Sequence, residues 1–338
     1  MQTNYDYPGN LHRPYPTQVR IEVAQGCTRN CHFCGITTVG NSVKLMTKDT
    51  MDLIVEKFSA QTKRVDFELH GEPLLNPNIV YIVKRLRAKF KKLQITIISN
   101  TDVLTKINKS ISVLLDLFDA GLNFYHADIY DKRSGKAFID LLKSSKSLLT
   151  EKNIKAYNFY ALDYNAWSYH GGKNKEIIVC DEHLLKNRKH KNTRKLHNYA
   201  GNLSIEQQSN MNIPFKTLNT KCAEPFKAVA IAYDGTLFAC CLDFSKSLKL
   251  ANIRDIPTIE SYWQSDDYNK LRFLLNKGKR ALIPLCSICS KRSFRVGLYN
   301  YCGPSYNEEN LKKEFAAKTK LSYNQKIIKE EYTKNEIS

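Results

Sequence analysis

No run in the 338-residue sequence approaches the roughly 20 consecutive apolar residues that a membrane span needs. The opening MQTNYDYPGNLHRPYP lacks the apolar core of a secretory signal. The expected setting is therefore cytoplasmic, with no membrane partner. No internal repeat is evident. Acidic residues are scarce, 33 against 52 Lys and Arg, leaving a formal charge of +19 and a pI near 9.4. Nucleic acid is a possible partner for that charge, followed by acidic peptides and phosphorylated substrates. A composition rich in Lys, Asn, Ile and Tyr produces the same excess without any such partner. What is there is a 42% hydrophobic content, enough for a substantial core. The length suits one large domain and a small one. Ten cysteines in a reducing compartment read as metal ligands before disulfides.

The organising stretch is Val19 to Gly35, VRIEVAQGCTRNCHFCG. The alternating Val19, Ile21 and Val23 read as a strand that ends in a turn at Gly26. Cys27, Cys31 and Cys34 follow at spacing C-x3-C-x2-C. Three soft thiolates suit an iron–sulfur cluster, with one iron left open for chemistry. Zinc is the competing reading, but it prefers four ligands, and His32 adjoins Cys31 too closely to converge with it.

The run CTRNCHFC, with Phe33 before the last cysteine, resembles the signature of the radical S-adenosylmethionine (radical SAM) enzymes. The resemblance implies a [4Fe–4S] cluster on Cys27, Cys31 and Cys34, S-adenosylmethionine on its open iron, and an electron donor such as flavodoxin or ferredoxin. It implies reductive cleavage to a 5′-deoxyadenosyl radical that abstracts a substrate hydrogen. One unit later, His70-Gly71-Glu72-Pro73 is similar to the family's GGEP element, with His70 in place of the first glycine. By that likeness Gly71 and Glu72 hold the amino group of S-adenosylmethionine. Ser99 and Asn100 match a Thr-Asn pair near the ribose, Asp128 is placed for a ribose hydroxyl, and Phe33 lends its backbone to the adenine.

Strand-like and helical segments alternate through residue 162. Strands are expected at Val65–Leu69, Leu93–Ser99, Leu122–Ile129 and Lys155–Leu162, with a sixth uncertain within 176–207. Helices are expected near 50–58, 77–90, 111–120 and 136–150. This rhythm gives an α/β fold with a parallel sheet, and the family's partial (β/α)6 TIM-like barrel accommodates the count. In such sheets the chemistry gathers at the C-terminal strand ends. That collects the cysteines, His70 to Pro73, Ser99-Asn100, His126 with Asp128, and Asp163 at one mouth.

The cysteines return as Cys222, Cys240, Cys286 and Cys289. Ala228–Ala232, Asp234-Gly235 and Thr236–Cys240 read as a hairpin bringing the first two together, where C-x2-C adds two thiolates. Zinc and a fully ligated [4Fe–4S] cluster both fit. Behind a radical SAM barrel the spacing resembles the SPASM or twitch domains, a small C-terminal α+β unit. With Arg295 where a further cysteine would stand, it implies one auxiliary [4Fe–4S] cluster on those four residues, suited to electron transfer. Cys180, Cys241 and Cys302 default to buried hydrophobes. Asn198-Tyr-Ala-Gly201 resembles an Asn-Arg-Ala-Gly stretch that precedes such domains, with Tyr199 at the arginine. The run 186–195, with six Lys or Arg, reads as a solvated loop before a phosphate-binding one.

The expected organisation is an extended lead-in over 1–16, a radical SAM core over 17–215, an auxiliary domain over 216–304, and a charged tail over 305–338 that forms a loose helix or stays disordered. The expected function is oxidation or crosslinking of a peptide or small polar substrate. Nucleoside or nucleic-acid modification by the same chemistry is the first alternative. A non-enzymatic zinc or iron–sulfur module docking nucleic acid is the second.

Overall fold

The structure, a computed structural model, describes residues 14–159, 174–181, 197–238, 240–292 and 303–337. The lead-in before residue 14, Asp163, the residues 165–167 and 171–172, the basic run 186–195, Arg295 and Cys302 lie outside the described residues.

Nine strands form one sheet: β1 (Gln18–Ile21), β2 (Arg64–Phe67), β3 (Gln94–Ser99), β4 (Phe124–Ile129), β5 (Lys155–Phe159), β6 (Glu176–Asp181), β7 (Ala228–Ile231), β8 (Thr236–Phe238) and β9 (Lys249–Asn252). Their order is β9-β8-β7-β1-β2-β3-β4-β6-β5. From β7 to β5 every neighbour is parallel, and β8 and β9 close one edge antiparallel. This is the expected α/β arrangement of a partial TIM-like barrel, with β6 settling the uncertain sixth strand. Two features were not expected. First, β6 inserts between β4 and β5, so the chain visits the edge before it fills the gap. Second, the hairpin of the auxiliary segment is no separate sheet, because β7 pairs in parallel with β1 from Gln18↔Ala228 to Ile21↔Ile231.

The crossovers are helices α1 (Lys48–Lys57), α2 (Ile79–Lys89), α3 (Ser112–Ala120) and α4 (Lys132–Ser144). Thr47 caps α1 and Asp131 caps α4 through their side-chain oxygens. Gly121 ends α3 at φ +111°, a conformation that costs glycine little. Because side chains alternate across a strand, Val19, Ile21, Val65, Phe67, Ile95 and Ile97 all join the helix-side core. The opposite face carries the other parity: Arg20, Asp66 and Thr96 in one register row, and His126 and Asp128 further along. The sheet is thus apolar toward its helices and largely polar on its other face.

The tail corrects the expectation of a loose helix or disorder. It forms α5 (Glu308–Lys318) and α6 (Tyr323–Ile337). Leu311 and Phe315 are buried on α5, and Ile328 and Tyr332 on α6. Its apolar residues are few, but each pair sits four apart on one helical face, and that spacing suffices for docking.

Candidate functional site

The mouth is built by close approach of two backbones. Gly26 N–H donates to His70 O (3.2 Å), and Glu72 N–H donates to Gly26 O (2.9 Å). A Cβ on Gly71 would lie 2.2 Å from Ala24 O and 2.5 Å from Gly26 O, so no other residue fits there. This pairing holds the HGEP turn beside the cysteine loop. Asn41 adds a clamp: its Oδ1 accepts from Cys27 N–H (2.6 Å) and its Nδ2 donates to Cys27 O (2.8 Å).

Glu72 is buried and already organised. Its Oε1 accepts from Leu74 N–H (3.1 Å) and its Oε2 from Asn100 N–H (2.8 Å). Burial pushes its carboxyl up to about 7, against the pull of those donors and of Ser99. Asn100 in turn donates through Nδ2 to Cys27 Sγ (3.1 Å). Cys27, Glu72, Ser99 and Asn100, spread over more than seventy positions, thus meet at one mouth.

Cys27, Cys31 and Cys34 are all free thiols and partly buried. Burial raises each of them, Cys34 to about 12, and their mutual repulsion adds to the rise for Cys31 and Cys34. Three such thiolates need positive charge to be stable together, and a bound iron cluster would bring it. His32 is exposed and outside the trio. Phe33 rests its ring on Tyr130, centroids 5.4 Å apart. Arg29, between the first two cysteines, pairs with Asp102 (2.5 Å) and Asp131 (2.7 Å) and so ties the loop to the ends of β3 and β4. The sequence offered no signal for Asn41 or Arg29.

Asp128 lies at the end of β4 on the inner face. There it meets His126 (Nε2 to Oδ1, 3.0 Å) and accepts from Tyr130 OH at Oδ2 (3.2 Å). Burial disfavours the charged His126, but Asp128 and Cys180 outweigh it and raise the imidazole to about 10. Cys180, expected as filler, is this group's third member.

The second cysteine set gathers beside β7 and β8. Burial lifts Cys222 to about 11, Arg280 opposes it, and Glu224 and Cys289 add to it. Cys286 is raised by burial and then by Cys222 and Cys289. Cys240 is raised first by its hydrogen bond with Cys241, then by burial, with Cys222 among the smaller causes. The four thiols therefore share one field. Buried Arg280 frames them, donating to Thr220 O (2.8 Å), Lys221 O (3.0 Å) and Lys291 O (2.8 Å). Asn198 holds the C-x2-C loop, donating to Ile288 O (2.6 Å) and accepting from Ser290 N–H (3.0 Å). Tyr199, Ala200 and Gly201 then turn the chain at positive φ.

Cys241 is no simple filler. Its Sγ accepts from Arg20 Nη1 (2.6 Å), and Arg20 also pairs with Glu68 (3.0 Å). Arg20 thus links the sheet's inner face to the auxiliary cysteines. His70 makes a second link, with Nδ1 on Glu22 (2.9 Å) and Nε2 on Cys241 O (3.0 Å).

Comparison with known proteins decides the family. The model of the Radical SAM superfamily matches residues 21–131, and that of an iron–sulfur cluster-binding SPASM domain matches 222–290. The chain belongs to the radical SAM superfamily. As a radical SAM enzyme with a SPASM domain, it uses S-adenosylmethionine, a [4Fe–4S] cluster and auxiliary iron–sulfur chemistry, which removes the reading as a non-enzymatic module. One relative is the S-adenosyl-L-methionine-dependent 2-deoxy-scyllo-inosamine dehydrogenase of Niallia circulans. It is 23% identical over 293 residues, which cover 83% of this chain and 95% of the relative. The GTP 3′,8-cyclase of Lactiplantibacillus plantarum is 27% identical over 137 residues, 39% of this chain and 40% of the relative. Among solved structures, BtrN in complex with AdoMet and 2-DOIA superposes with a TM-score of 0.56 at 20% identity, covering 82% of this chain and 93% of that one. The likeness establishes the shared fold. No helix among the described residues is long and apolar enough to cross a membrane.

Proposed function

We propose that this radical SAM enzyme dehydrogenates a small, polar, hydroxyl-bearing substrate, taken up against the charged inner face of its sheet. The observation that carries the reading is that face itself. Arg20, paired with Glu68, stands beside Asp66 in register and reaches Cys241, next to the auxiliary Cys240. A polyol or amino-polyol can hydrogen-bond to a charged wall of this kind. The dehydrogenase relative supports the reaction type. In this reading Cys27, Cys31 and Cys34 hold the radical-generating cluster and Cys222, Cys240, Cys286 and Cys289 hold the auxiliary one, in a core over 17–215 and an auxiliary unit over 216–304. When bound, the cluster and S-adenosylmethionine supply the radical that takes a hydrogen atom. The chain's own residues orient and exclude water: Gly71 and Glu72 take the amino group, and Ser99 and Asn100 stand toward the ribose. Phe33 offers its backbone to the adenine. Asp128, expected toward the ribose, meets His126 at 3.0 Å.

The test is an anaerobic reaction with S-adenosylmethionine, dithionite and 2-deoxy-scyllo-inosamine as probe. We expect 5′-deoxyadenosine together with a product two mass units lighter. Formation of 5′-deoxyadenosine with the probe and a panel of other polyols all unchanged overturns the substrate class. GTP in a parallel reaction tests the nucleotide alternative, which the +19 charge and the cyclase relative favour; conversion of GTP alone would establish that one.

Glu72 adds a pH signature. A carboxyl raised to about 7 is mostly neutral at pH 6 and mostly ionised at pH 8. The ionised form is the better acceptor for the amino group. Affinity for S-adenosylmethionine should therefore strengthen about tenfold from pH 6 to pH 8. Calorimetric titration of Glu72→Gln should show a flat profile across that window; equal slopes in both proteins would exclude the assignment.

A further inference from the structure

The inner face holds one group that the clusters do not use. His126 and Asp128 lie two apart on β4 and so on one side of it. Asp128 stands in register with Cys180 on β6. An imidazole nitrogen, a carboxylate oxygen and a thiol sulfur lie within 4.8 Å of one another, the single such group of three among the described residues. His126 and Cys180 are each 1% exposed, while Asp128 reaches the interior space with its side chain 15% exposed.

We propose that His126, Asp128 and Cys180 form a mononuclear metal site of the zinc type, distinct from both clusters, with its fourth position open to the inside of the barrel. The donor set is the argument. Imidazole, carboxylate and thiolate are the three zinc donors, and three protein ligands with one open position is the pattern of zinc sites that do chemistry. An ion pair between His126 and Asp128 accounts for two of these groups. The Cys180 thiol, brought to the same point by an independent strand, adds the third donor. Tyr130 OH holds the second carboxylate oxygen (3.2 Å), as outer partners orient metal ligands. Three ligands carrying two negative charges make the loaded site neutral, and loading displaces the protons they hold.

The open position takes water or a substrate hydroxyl. Bound to the ion, the hydroxyl would lose its proton more readily, a step useful to the dehydrogenation proposed above. That occupant rests on the dehydrogenase reading; the metal site does not.

The test uses the full chain with both clusters rebuilt anaerobically, then equilibrated with zinc and freed of excess. We expect one zinc per chain beyond the iron. Its X-ray absorption should show a single sulfur at about 2.3 Å and nitrogen or oxygen neighbours at about 2.0–2.1 Å. Zinc with three or four sulfurs would be zinc lodged in the cluster cysteines, and would overturn the proposal. So would no zinc at all. Cys180→Ser and His126→Gln should each lose the zinc while keeping the wild-type iron content. Should these buried variants fail to fold, the partly exposed Asp128→Asn provides the same comparison, and undiminished zinc in it sinks the assignment. None of these readouts depends on dehydrogenase activity.

Discussion

Replacing Cys34 with alanine should cut 5′-deoxyadenosine formation to background and remove about half of the roughly eight irons expected for two [4Fe–4S] clusters. The loss is this large because the cluster has only three protein ligands to begin with. Burial raises all three thiols, Cys34 to about 12, so the apo loop is a cluster of neutral thiols waiting for positive charge. The complementary pair, Cys222→Ala with Cys240→Ala, should remove the other half of the iron. In that protein uncoupled cleavage of S-adenosylmethionine should persist while substrate oxidation fails. Iron analysis and an anaerobic cleavage assay on the two proteins check both expectations. If the Cys34 variant retained cleavage, the ligand assignment would be wrong.

Gly71→Ala should be the most damaging substitution that removes no functional group. The new methyl would meet Ala24 O at 2.2 Å and Gly26 O at 2.5 Å, both backbone atoms that cannot swing aside. Relief requires separating the HGEP turn from the cysteine loop. That breaks the Glu72 N–H to Gly26 O bond and moves Glu72 away from Asn100, whose side chain touches Cys27 Sγ. We expect a cost of about 3 kcal/mol, the upper part of the range for overpacking. We also expect affinity for S-adenosylmethionine to fall by more than an order of magnitude. Denaturant midpoints and calorimetric titration report the two effects separately; wild-type values in both would show that the turn tolerates a side chain.

What could be read from the sequence had a chemical or periodic signature. The cysteines, Gly71-Glu72 and the alternating strands carry their meaning in residue type and spacing. Cys180 does not, because its significance depends on a register partner fifty positions away on β4 and on β6 entering between β4 and β5. The tail misled for a different reason. Its composition reads as solvated, yet Leu311 with Phe315 and Ile328 with Tyr332 place their few apolar groups at the one spacing that docks a helix. Arg280 was invisible because it acts on backbone carbonyls, and any residue in a loop has those to offer.

The parallel pairing of β7 with β1 also bears on how the molecule is made. Gln18 waits for Ala228, more than two hundred positions later, before its second edge is covered. Non-local pairings of that span slow folding, and an open edge strand invites wrong partners meanwhile. On a ribosome, the strand that presents Cys27 is thus flanked on one side only until the hairpin has emerged. The cysteine loop gains its finished support and its neighbouring second cysteine set in the same late event, so a truncated or half-made chain has neither.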